Sequence, residues 1–344
     1  MPGALGARGP LATVFGYVIR RLVAGVMVLI VVSMGVFALF FYGPNDPAYQ
    51  YCPETRCTPQ KLELIRHSMG LDRPAPAQYA EYMSGFLESR TITNGGISVD
   101  CPWPCMGVSF KYRVNVRDYL MDRVPATLAV AFGGAACFLV MGVGIGIIAA
   151  RRRGTTSDKA IISTSLFVDA MPSYLLFLLS WLYFVQRLGW FPDTGYYSPF
   201  TDGPAKFVHG MLLPWIVIGI ASASYYARFS RGSMIEVMGE DYVRTARAKG
   251  VGEGRIILRH ALRAAIVPIV TIFGLDFAGL LTGTIFVERI FGIQGLGLAG
   301  LDAERRVDLP MVSACVLIAA ALIVLANIVV DVLYSVIDPR VRLT

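Results

Sequence analysis

Charge is scarce in this chain. Only 16% of its 344 residues are Asp, Glu, Lys or Arg, against about 25% in a typical soluble domain. A soluble globular fold is thereby disfavoured. No GxxxxGK[ST] segment occurs, so the chain has no phosphate-cradling loop with which to bind ATP in that way. Histidine is reduced to His67, His209 and His260, scattered over unrelated segments. They give neither a metal site nor a catalytic triad. Solenoid repeats are absent, and so is the period-2 alternation of an outer-membrane barrel. No inverted internal repeat is evident, which weakens a secondary-transporter reading.

Long apolar runs are what the chain does have. Mean hydropathy is +0.57, and 55% of the residues are hydrophobic. About 20 apolar residues span a bilayer core as a helix, and in lipid every backbone polar group must be paired within the segment. Six blocks meet or approach that length: Leu22–Tyr42, Thr127–Ala150, Ala160–Phe184, Met211–Ala227, Ala265–Val287 and Met311–Ile337. The fourth is the shortest and holds Pro214. The first has basic flanks but is too long for a signal-peptide core, and no small-residue cleavage site follows it, so it reads as a retained span. The expected fold is an all-α membrane protein with six transmembrane helices.

The basic residues fall where orientation requires them. Arg20 and Arg21, "RRRGTTSDK" (151–159), the stretch from "ARFSRGSM" to "RHALR" (227–263) and "DPRVRLT" (338–344) all lie on one side of a six-span chain. Short loops rich in Lys and Arg stay cytoplasmic. Both termini are therefore expected in the cytoplasm, and the net charge of +7 needs no nucleic acid to explain it. The reading divides the chain into a cytoplasmic tail (1–21), a first span (22–42), an extracytoplasmic cap (43–123), a five-span domain (124–338) and a short cytoplasmic tail (339–344).

The cap is not low-complexity. Residues 59–89 read as two short amphipathic helices broken by Pro74 and Pro76. A Gly/Asn-containing piece (91–100) then leads to "CPWPC". Four of the six cysteines, Cys52, Cys57, Cys101 and Cys105, fall in this loop. On the oxidising side of a membrane they suggest disulfides, in any of three pairings. A four-cysteine zinc site is the alternative. Cys137 and Cys315 read as small packing residues within spans. The closely spaced glycines of "GVGIGIIAA" (142–150) read as a close helix-packing surface.

Intramembrane acids are costly and so informative. Asp169 lies in "LFVDAMPSYLL", just before Pro172, where a broken helix could shelter it. Asp276 lies in "FGLDFAGLLTG" and Asp331 near the end of the last block. A proton-coupled carrier could use such acids; structural or pathway-lining roles are the other reading, and Glu288 joins that group.

The basic stretch between spans four and five holds "EDYVRTARAKG", residues Glu240, Asp241, Tyr242, Val243, Arg244, Thr245, Ala246, Arg247, Ala248, Lys249 and Gly250. Glu240 and Arg244 are placed for an i,i+4 pair. Gly250 suits a helix-ending C′ position. A second amphipathic piece, "RIILRHALR" (255–263), follows. The helix is expected at about 240–251. It could lie on anionic headgroups or dock into a groove on a cytosolic partner. Small Ala246, Ala248 and Gly250 favour docking, since a lipid-lying helix would use bulky apolar residues.

"EDYVRTARAKG" resembles the coupling-loop signature of ABC-importer permeases of the oligopeptide, dipeptide and nickel branch. Arg244-Thr245-Ala246 stands where Glu-Ala-Ala is general, and Gly250 keeps the glycine. "FFYGPNDPA", "HSMGLDRPAPAQY", "VRDYLMDRVPATLAV", "DAMPSYLL", "LLTGTIFVERIFGIQGLG" and "NIVVDVLYSVIDPRVR" match in order. The resemblance is to the first of two membrane subunits. It implies a second permease, two cytosolic ABC ATPases that bind the ATP and Mg, an extracytoplasmic solute-binding protein and a peptide substrate, with nickel or another small ligand as the alternative. It implies no enzymatic activity and no bound cofactor in this chain, an inner-membrane location, and coupling through residues 240–250. Two departures stand out: residues 91–105 look like an insertion, and Gln294 replaces a common proline.

Overall fold

A computed structural model of the chain describes residues 10–42, 48, 57–68, 71–94, 97–109, 111–193 and 195–337. Among these residues five helices are long and apolar enough to cross a membrane, and the number becomes six if one sharply bent pair is a single span. The chain divides into two compact units, each described by itself. One comprises Met1–Val18, Ala126–Ile293 and Leu325–Thr344; the other comprises Ile19–Pro125 and Gln294–Val324.

Helix α1 (Pro10–Tyr42) carries the first span. α2 (Pro59–Ser68) and α3 (Ala75–Ser84) are the two short helices expected around the prolines. Pro74 precedes α3 and Pro76 occupies its first turn, where a missing N–H costs nothing. A hairpin follows, with β1 (Arg90–Asn94) antiparallel to β2 (Ile97–Cys101) and Ile92 opposite Val99. A second small pair joins β3 (Val108–Ser109) to β4 (Val114–Asn115). The all-α expectation is thus corrected: the spans are helical, but the segment between the first two carries strands. "TITNGGISVD" alternates β-branched residues around Asn-Gly-Gly, which suits a hairpin better than a linker.

In this unit Ser33 of α1 meets the Tyr79 hydroxyl at 2.8 Å, and Phe37 stands edge-on to the Tyr79 ring at 5.4 Å. Val116 and Leu120 of α4 (Val116–Met121) pack with Leu296 and Ala299 of α13 (Leu296–Arg305) and with Met311 and Ala314. Asp308 is fully buried and accepts a hydrogen bond from Ser109. Cys101 and Cys105 form a disulfide over a small apolar cluster of Val108, Ile92 and Val99. Cys57 is also disulfide-bonded, and Cys52 lies outside the described residues. The local Cys101–Cys105 bond removes the four-cysteine zinc reading.

The other unit is built from long helices. α5 (Val124–Arg151) packs closely on α8 (Pro204–Met238). A Cβ placed on Gly142 would lie 2.4 Å from Cβ of Tyr226, and one on Gly146 would lie 2.7 Å from the Ala227 carbonyl. These glycines let the backbones approach, as expected for small residues at helix interfaces. Gly133 leaves room for the Trp215 indole, whose Nε1 donates to the Ala129 carbonyl at 2.8 Å.

The third apolar block is not one helix. α6 (Thr156–Ala170) and α7 (Ser173–Ser180, continued by π-helical turns over Trp181–Arg187) meet at 93°. Met171 and Pro172 are extended at the break, because Pro172 disfavours helical backbone in the residue before it and supplies no N–H. The fifth block begins earlier than expected. α10 (Glu253–Arg255) runs through π-helical turns (Ile256–Ala261) into α11 (Leu262–Gly283). α12 (Ile285–Ile290) follows, and α14 (Leu309–Ile337) carries the last span.

Candidate coupling site and membrane acids

Between α8 and α10 the chain forms a short helix, α9 (Asp241–Ala248). Glu240 is its N-cap residue, in extended backbone, and its carbonyl accepts from the Val243 and Arg244 N–H groups at 3.1 Å each. The C-terminus closes as a Schellman motif. Val251 N–H reaches the Ala246 carbonyl at 3.2 Å, and Gly250 N–H reaches the Arg247 carbonyl at 3.0 Å. Gly250 sits at φ +77°, the left-handed conformation that a C′ residue needs and a Cβ disfavours. The observed helix lies within the expected 240–251.

Only Val243 in α9 is buried, and it is fully so. That one side chain contributes about 1.5–3 kcal/mol to seating the helix. α9 packs against the end of α8 and the Ile256–Ala261 turns, where Met234, Ile257, Ala261 and Ala265 form a shared apolar cluster with Ala150. Everything else points out. Asp241, Tyr242, Arg244, Thr245, Arg247, Ala248, Lys249 and Gly250 are exposed, and Ala246 is half-buried.

The expected Glu240–Arg244 pair is replaced. Arg244 stands 3.6 Å from Asp241, at i,i+3, because Glu240 has left helical backbone to cap. Arg247 reaches across the glycine corner to Glu253, at 2.5 and 3.3 Å. Both partners are half exposed, so the pair spans the corner but adds little energy. Thr245 donates to the Asp241 carbonyl at 2.8 Å. Partial burial, with Glu240 nearby, pushes the Tyr242 hydroxyl above its ordinary range.

The membrane acids separate into different environments. Asp169, at the end of α6, pairs with Arg228 of α8; Pro172 forms the break beside it. Asp276 of α11 accepts from the Tyr226 hydroxyl at 2.9 Å. Glu288 is fully buried and accepts from Thr127 at 2.7 Å and Thr284 at 3.0 Å, tying α12 to the start of α5. Sequence reading missed the cations: Arg228 answers Asp169, and Arg231 answers Asp158 through two bonds of 2.6 and 2.8 Å. Asp158 did carry a local signal. Thr155 caps α6, and Asp158 stands three residues on, accepting from Gly154 N–H at 2.9 Å. Among the described residues no group of three His, Cys, Asp or Glu side chains could hold a metal ion.

Comparison with known proteins accounts for this architecture. Residues 142–343 match the family model of the binding-protein-dependent transport system inner membrane component, and residues 14–131 match its N-terminal companion. A putative peptide transport system permease protein of Brucella abortus (strain 2308) is 32% identical over 325 residues, covering 94% of this chain and 98% of that one. The glutathione transport system permease protein of Escherichia coli O6:H1 is 35% identical, covering 95% and 98%. Among solved structures, an inward-facing MetNI methionine ABC transporter shares the fold, with TM-score 0.51 and 17% identity over 64% of this chain and 97% of that one. The chain therefore belongs to the family of binding-protein-dependent transport system inner membrane components, the permeases of ABC importers.

Proposed function

We propose that this chain is the first of two permease subunits of an ABC importer for short peptides, and that α9 is where it receives the work of ATP hydrolysis. The observation carrying this reading is the construction of α9. One buried valine seats it, while its remaining surface is free for a partner. Its N-terminal end follows α8, and its C-terminal end leads through α10 and the π-helical turns into α11. A groove on a cytosolic ATPase that grips Tyr242, Arg244 and Arg247 would move those spans as a body. Such rigid-body motion is a standard route from a local contact to a large rearrangement.

In this reading α9 and both termini are cytoplasmic, in keeping with the one-sided Lys and Arg. The strand-bearing segment between the first two spans faces outward, toward a solute-binding protein. ATP and Mg belong to the ATPases. Peptide is the favoured cargo because the relatives are named for peptides and glutathione. Ion-coupled transport is less favoured because Asp169, one of the acids it would use, is neutralised by Arg228.

The test is co-purification of the chain with its second permease, ATPases and binding protein, mass spectrometry of the captured ligand, and uptake into proteoliposomes. ATP-dependent import of short peptides is expected. Uptake that needs only a proton gradient would refute the reading.

A further inference from the structure

Asp276 is placed differently from the other acids of the helical unit. Asp158 and Asp169 each hold an arginine, and Glu288 is fully enclosed. Asp276 is exposed on α11, 14 residues after the helix begins at Leu262 and seven before it ends at Gly283. At about 1.5 Å per residue it lies roughly 10 Å inside the nearer end of this apolar helix. No Lys, Arg or His among the described residues pairs with it, and its one hydrogen bond comes from Tyr226. Tyr226 is itself 1% exposed and packs on Phe138 at 4.8 Å. One side of the carboxylate is therefore held from a fixed point, and the other is open.

A carboxylate facing lipid inside an apolar span is costly. An open one must face water, a cation or both. The surroundings select the cation. A lone carboxylate with a hydroxyl beside it supplies too few ligands for a metal ion. It does suit an ammonium group, whose charge a single carboxylate balances and whose three N–H donors the carboxylate oxygens and water in an open pathway can share. Apolar contact is also at hand: Phe273 and Phe277 stack at 5.5 Å, and Phe132, largely exposed, lies 5.1 Å from Phe277.

We infer that Asp276 is a cation-recognition point in the translocation pathway, which receives the α-ammonium group of a passing peptide, with Tyr226 as the positioning residue that holds the carboxylate. The inference rests on the peptide-permease reading above. It assigns a point of substrate contact to the permease, at a group every unmodified peptide carries.

The test uses the complete transporter in proteoliposomes, with a neutral tripeptide and its N-acetylated form as cargo. Asp276→Asn should reduce import of the free-amine tripeptide about tenfold more than import of the acetylated one, the loss expected for one charge-assisted hydrogen bond. Asp276→Glu should restore most of the difference. Equal losses for both cargoes would overturn the inference. So would an Asp276→Asn complex that loses its second permease on purification, because the carboxylate would then be pairing with a cation of that subunit. A wild-type transporter that imports neither tripeptide would overturn the parent reading and this inference with it.

Discussion

Asp158 and Arg231, 73 residues apart in the chain, meet through two hydrogen bonds of 2.6 and 2.8 Å and join the start of α6 to the last turns of α8. Asp158 is 2% exposed, while Arg231 keeps part of its surface in the open. Truncating one partner would strand the other's charge in a place with little water. Asp158→Ala should therefore lower stability, read as a lower Tm in detergent. Asp158→Ala combined with Arg231→Ala should lose less than the sum of the single changes, and a double-mutant cycle gives the coupling.

Gly250 poses a backbone question rather than a packing one. A Cβ added there would meet nothing within 4 Å, but φ is +77°. Gly250→Ala should cost about 1 kcal/mol locally and Gly250→Val more, because left-handed backbone is hardest on branched side chains. The change would loosen the last turn of α9 while leaving the spans intact. Under the coupling reading, Gly250→Val should insert and assemble normally but lose about fivefold or more in import, equivalent to about 1 kcal/mol of docking free energy. Normal import by this variant, with binding-protein-stimulated ATPase activity also unchanged, would remove α9 from the coupling role.

The glycines of α5 provide a paired comparison. Gly142→Val drives a side chain into Tyr226 and the Ala223 carbonyl, which stand 2.4 and 3.1 Å from its Cβ. Overpacking of this kind costs about 1–3 kcal/mol, sometimes more. Gly144, one half-turn away, has open space at the same distance, so Gly144→Ala should stay within about 1 kcal/mol of wild type. Thermal unfolding of the two purified variants checks the pair. Similar losses for both would mean that contact with α8 does not set the cost at Gly142, since Ala and Val both favour helix more than Gly does.

How much of this could be read from the chain follows from the range of each interaction. The spans were readable because about 20 consecutive apolar residues are a local property. The stop at Gly250 was readable because left-handed backbone selects glycine at the residue itself. The 93° break was partly readable, since Pro172 announces it, yet the apolar run continues straight through and suggests one span. The pairing of Arg90–Asn94 with Ile97–Cys101 was missed because the Gly/Asn content of 91–100 was read as a connecting piece, although β-branched residues alternate on both sides of it. Partners of the acids could not be read at all. Arg228 lies 59 residues from Asp169 and Thr127 lies 161 from Glu288, and no local pattern links positions that only the packing of α5, α6, α8 and α12 brings together. Glu240 misled for the opposite reason. Its spacing to Arg244 suits a helix, but its backbone was needed as the cap.

Asp308 gives a pH dependence with a definite sign. Burial pushes its carboxyl above the ordinary carboxylate range, against the opposing hydrogen bonds from Ser109 and Met311 N–H and the charge of Lys111. The native protein therefore holds this proton to a higher pH than the unfolded chain, whose value is about 3.9. Below that value the neutral acid contributes its full stability. As pH rises through the raised native value, ionisation inside the fold becomes a cost and that contribution is lost. Asp308→Asn keeps a neutral side chain that can still accept from Met311 N–H at all pH values. The Tm difference between wild type and Asp308→Asn, followed from about pH 3.5 upward at about half-unit steps, should shift in favour of the variant as pH rises above about 4 and then level off. A difference that moves the other way would mean that Ser109 and Lys111 outweigh burial at Asp308.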